Sequence, residues 1–85
     1  MPEASARLAR QITTFVQELR RTELYKVPGV SETLDWAAAL TALGRDALDP
    51  DAVHDTIGVL LKTREDIEQV RNGQIGSLLQ KALVS

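Results

Sequence analysis

Ser31-Glu32-Thr33-Leu34-Asp35-Trp36-Ala37-Ala38-Ala39-Leu40-Thr41-Ala42-Leu43-Gly44 is the stretch that decides the fold class. Alanine and leucine give up little conformational freedom in a helix, and no proline or glycine interrupts the run before Gly44. Ser31 offers an N-cap hydroxyl, and Glu32 and Asp35 place negative charge near the positive end of the helix dipole. Gly44 stands where a helix ends on a left-handed residue. The predicted helix runs from Glu32 to about Leu43 and is apolar nearly all round, the pattern of a helix packed on several sides. It is expected at the centre of an all-α bundle.

Working outward, Leu8, Ile12, Phe15, Val16 and Leu19 trace one stripe at helical period. They predict a helix from Ala4 to about Thr22, with Arg7, Arg10, Gln11, Gln17, Glu18 and Arg21 on its opposite face. Those arginines read either as a phosphate-binding edge or as a solvated face, and the glutamines and Glu18 among them favour the second. Residues 24–30 form an ordered connector, in which Pro28-Gly29 suits the centre of a type II turn. Beyond Gly44, Asp49-Pro50-Asp51 is a strong helix start, with an N-cap aspartate and proline at N1. The stripe Val53, Ile57, Leu60, Leu61 extends through Ile67 and Val70. Thr63-Arg64-Glu65-Asp66 loosely resembles a capping box that would break this stretch in two. The continuous stripe instead favours one long bent helix ending near Asn72-Gly73, with Gly58 permitting close helix contact. Ile75, Leu78, Leu79, Ala82 and Leu83 predict a last helix within residues 74–85. The expected architecture is a single domain over residues 1–85, a small all-α bundle of four to five helices.

Composition narrows the function. The chain has 85 residues, no cysteine, and 10 Lys+Arg against 12 Asp+Glu. That length fits one small domain. The missing cysteine removes disulfide scaffolds, thiolate metal sites and cysteine nucleophiles, and fits a cytoplasmic location. The charge balance offers no basic field for nucleic acid, and an acidic helix start at Asp49-Pro50-Asp51 would face phosphates unfavourably in a helix-turn-helix reader. No run approaches the ~18 apolar residues of a membrane span, and Met-Pro-Glu-Ala-Ser lacks the basic-then-apolar start of a secretory signal. The single histidine, His54, reads as a partly exposed helix residue rather than a base. Asp51 and His54 stand at i, i+3, which suits metal geometrically, but acids at a helix start already serve the dipole. Neither a phosphate-cradling glycine loop nor a calcium loop is present. No catalytic residue, no metal ligand, no nucleic-acid partner and no membrane contact are expected.

Leu24-Tyr25-Lys26-Val27-Pro28-Gly29-Val30-Ser31-Glu32-Thr33-Leu34-Asp35-Trp36-Ala37 is more particular than a generic helix start. It resembles the lid region of MoxR-type AAA+ ATPases, in the subgroup reading L-x-K-x-P-G-V-x-E-T-x-D-W-A. Ala42-Leu43-Gly44, Leu48-Asp49-Pro50 and Leu60-Leu61-Lys62-Thr63-Arg64-Glu65-Asp66 follow in the same order at similar spacing. The resemblance covers about residues 5–71, and residues 72–85 lie beyond it as a tail or an extra helix.

The resemblance implies the C-terminal helical lid of a larger ATPase, whose core would carry the chemistry and hold ATP and Mg. This fragment alone would bind no cofactor. Its implied partners are that core, neighbouring subunits of a ring and a von Willebrand factor A-type protein, in a chaperone-like assembly. The helix starting near Ser31 is similar to the sensor-2 helix, whose N-terminus approaches the nucleotide. The residues placed near nucleotide are then Lys26, Gly29, Ser31, Glu32 and Thr33. Many relatives have an arginine there to touch the γ-phosphate, and Glu32-Thr33 departs from that pattern. Two readings from other classes stand beside this one. The first is an autonomous helical interaction module; the second is a DNA-binding helical regulator.

Overall fold

A computed structural model describes residues 5–84. Its helices are α1 (Ala6–Leu19), α2 (Val30–Ala42), α3 (Pro50–Leu60), α4 (Arg64–Gln69) and α5 (Ile75–Leu83), with a π-helical turn at Val70–Gln74 joining the last two. The fold is an all-α bundle. The helix start expected at Ala4 and the end at Ser85 lie outside the described residues.

Ser5 caps α1, its Oγ accepting from the Leu8 amide at 3.1 Å. The stripe of α1 is buried as its period requires: Leu8, Ile12, Phe15, Val16 and Leu19 all enter the core. Gln11, expected on the polar face, is buried instead, because its Oε1 accepts from the Leu48 amide at 2.7 Å and ties α1 to the loop before α3. Asp49 caps α3 through the Ala52 amide at 2.8 Å, with Pro50 at N1 as expected.

α1 packs chiefly on α5, and α2 chiefly on α3. The expectation of a central α2 is corrected here. Only Trp36, Ala37 and Leu40 of α2 are buried, while Val30, Leu34 and Leu43 are open to solvent. A run of alanines offers too little side-chain area to bind partners on every side, so α2 lies at the edge. It ends as expected on Gly44, at φ +76°, with the Arg45 amide donating to Leu40 O and the Gly44 amide to Thr41 O. This is the Schellman pattern that satisfies the last free carbonyls.

The single long helix predicted after Asp49 is two helices. Leu61 turns extended at φ −105°, ψ 137°, and Thr63 starts α4 by accepting from the Asp66 amide at 3.4 Å. The hydrophobic stripe bridges the break because Leu60 and Leu61 at the end of α3 and Val70 beyond α4 are all buried. Asn72-Gly73 does not end a helix either; the chain passes through it in the π turn, with the Ile75 amide reaching back to Val70 O. In a regular α-helix, Val70 and Leu78 would be about 80° apart around the axis. The wider π turn reduces that angle, and both residues are buried. Gly58 is exposed, with open space where a Cβ would stand, so it serves no close helix contact.

Candidate functional site

The residues that sequence places near nucleotide lie at the end of the bundle where the connector enters α2. α2 begins at Val30 with Gly29 as its N-cap, earlier than expected. Ser31 is therefore an exposed residue of the first turn rather than the cap. Gly29 is extended at φ −97°, so Pro28-Gly29 is not the type II turn predicted, which needs positive φ at the glycine. The reason is local. Glu32, at N3, folds back so that the Gly29 amide donates to its Oε1 at 2.8 Å, half of a capping box. Thr33 Oγ1 donates to Gly29 O at 2.8 Å and secures the same residue from the other side. Pro28, buried, receives Arg20 Nη2 on its carbonyl at 3.2 Å.

The Gly29 amide, outweighing partial burial, holds the Glu32 carboxyl below its ordinary value of 4.5, and the charges of Lys26 and Lys62 act in the same direction. Gly29, Glu32 and Thr33 thus form one hydrogen-bonded cluster, which Lys26 joins only through its charge. Lys26 is otherwise an exposed connector residue. The arrangement bears directly on phosphate binding. A helix N-terminus attracts anions through its free amides, but here the chain's own carboxylate occupies that position. A phosphate at the Gly29 amide would have to displace Glu32.

In sequence Asp66 stands only where a capping box would have Glu or Gln, and the structure gives it more. It is fully buried, with Oδ1 accepting from the Tyr25 amide at 2.8 Å and Oδ2 from the Lys26 amide at 2.9 Å. Burial alone would raise its pKa. The two amides and the Thr63 hydroxyl more than offset this and leave it below the ordinary 3.8. The acid at N3 of a helix is visible in sequence, but its partners 40 and 41 residues away are not.

Around this end the apolar surface is open: Tyr25 is 81% exposed, Val30 71%, and Val27 and Leu34 nearly half. A groove of about 180 Å³ between α1 and α2 runs alongside, lined by Val16, Arg20, Val30 and Leu34 among others. Trp36 is not part of this surface. It is a buried anchor, its ring centroid 5.2 Å from that of Phe15. His54 is exposed on α3, and its carbonyl accepts from the Arg71 guanidinium. Among the described residues no group of three or more His, Asp or Glu side chains is placed to hold a metal ion, and no helix is long and apolar enough to cross a membrane.

No protein-family model, curated protein or solved structure matches this chain.

Proposed function

We propose that the chain is the noncatalytic lid of a MoxR-like AAA+ ATPase in the cytoplasm, coupling nucleotide state to subunit rearrangement in a chaperone-like assembly. The ordered set of residues resembling that lid supports the family. The observation that supports the docking face is the apolar surface of Tyr25, Val27, Val30 and Leu34 beside the start of α2. An isolated domain gains nothing by keeping these side chains in water, whereas a lid buries them against its core or a neighbouring subunit.

ATP and Mg belong to the core in this reading. With Glu32 on the Gly29 amide, that amide is not free for phosphate, and in this reading the lid responds chiefly by moving as a body. A von Willebrand factor A-type protein would be a partner of the assembled ring. The reading frame encoding the chain should carry a P-loop and an acidic Walker-B segment upstream; their absence overturns the assignment. With a lidless core supplied in trans, the native chain should associate and a Val30→Asp/Leu34→Asp double variant should not.

The groove between α1 and α2 favours a second reading, an autonomous module that binds a partner helix by its apolar face. Capture of an amphipathic helix by this chain, with no ATPase core encoded beside it, would select that reading over the lid.

A further inference from the structure

We infer that Asp66 is a releasable latch: its carboxylate holds connector residues 23–27 on the bundle, and its withdrawal frees them as a unit while the helices stay folded. The inference rests on how differently two acids act at the same helical position. Glu32, at N3 of α2, turns back on its own N-cap amide. Asp66, at N3 of α4, is one methylene shorter and instead takes the Tyr25 and Lys26 amides, one on each oxygen. Both connector amides are satisfied by this single side chain, and the carboxylate itself is sealed from water.

The other ties to the connector are slighter. Gln69 Nε2 donates to Glu23 O at 3.2 Å and Arg20 Nη2 to Pro28 O at 3.2 Å, both from exposed side chains. Leu24 packs against the core only in part. Tyr25 and Lys26 stand in solvent, Lys26 acting on Glu32 only through its charge, and Val27, half-covered, is not one of the core side chains. Freeing residues 23–27 therefore breaks few contacts beyond the Asp66 pair. The latch fixes the backbone that displays Tyr25, Lys26 and Val27 together, and a surface ordered in advance binds without the entropy of ordering it. This inference is independent of the lid reading, because it concerns the isolated chain.

Native-state hydrogen exchange on the full chain tests it. In the native protein the Tyr25 and Lys26 amides should be protected yet open locally, exchanging on the order of tenfold or more faster than core amides such as Val53, with little dependence on low denaturant. Asp66→Glu lengthens the acid so that it turns back on Thr63 as Glu32 does on Gly29. Tyr25 and Lys26 should then lose protection by on the order of tenfold or more, while α1 and α3 amides and the helical circular dichroism stay unchanged. Asp66→Asn should act in the same direction. The latch is overturned if both variants keep Tyr25 and Lys26 protected. It is equally overturned if those amides of the native protein exchange only with global unfolding, a measurement that needs no variant to fold.

Discussion

The indole of Trp36 shows how one polar contact sets the core. Its Nε1 donates to Thr56 Oγ1 at 2.7 Å, and the Thr56 hydroxyl donates onward to Ala52 O at 2.6 Å. Both side chains are buried, so α2 can hold a tryptophan inside only where α3 presents an acceptor. Thr56→Val keeps the shape and leaves the indole N–H unpaired. Urea denaturation should show a loss of about 1–3 kcal/mol, with Thr56→Ser much closer to native. The same scale governs acid sensitivity. Glu18 is held below its ordinary value first by its hydrogen bond with Lys81, Glu32 by the Gly29 amide, and Asp66 by the Tyr25 and Lys26 amides against its burial. A carboxylate lowered in the folded state stabilises fully above its unfolded pKa and loses that contribution as pH falls through the folded value. The urea midpoint should hold steady from neutrality to about pH 5 and fall below the ordinary 4.5 and 3.8 of these groups. A flat profile down to pH 3 would contradict these assignments.

At the scale of the element, α3 contains a glycine with no structural reason to be one. Gly58 has ordinary helical backbone and open space at its Cβ position. Gly58→Ala should raise stability by about 0.5–1 kcal/mol in the same denaturation assay, by removing backbone entropy from the unfolded chain. Caps were the most legible elements. Asp49-Pro50 and Leu43-Gly44 perform in the structure as their chemistry dictates, because cap signals depend on neighbours within a turn. The break at Thr63 has a capping pattern in sequence, but the apolar stripe running past it points to a continuous helix. A stripe records which residues are buried, and two helices meeting at an extended Leu61 can bury the same set as one. α2 starts at Val30 rather than Glu32 for a related reason. Ser31 is the better intrinsic cap, but Glu32 closing on Gly29 moves the start upstream.

For the whole molecule, the apolar character of α2 predicts burial on several sides, but only the face of Trp36, Ala37 and Leu40 is buried and the rest is surface. The four side chains exposed near its start touch little of the core, so the Val30→Asp/Leu34→Asp variant should unfold within about 0.5 kcal/mol of native. A stability loss well beyond that would mean these residues serve the bundle rather than a partner. An unchanged stability with lost association is the outcome that supports the docking face.

Sequence by itself determined the all-α class, the α1 stripe and the caps at Asp49 and Gly44. Those depend on intrinsic propensity and on spacing along one helix. Tertiary structure alone decided that Gln11 is inside, that α2 lies at the edge, that helix continues through Asn72-Gly73, and that Asp66 holds the connector. Gln11 and Asp66 are settled by partners 37 to 41 residues distant, and α2 and the π turn by which faces the other helices leave to cover. No local pattern carries that information.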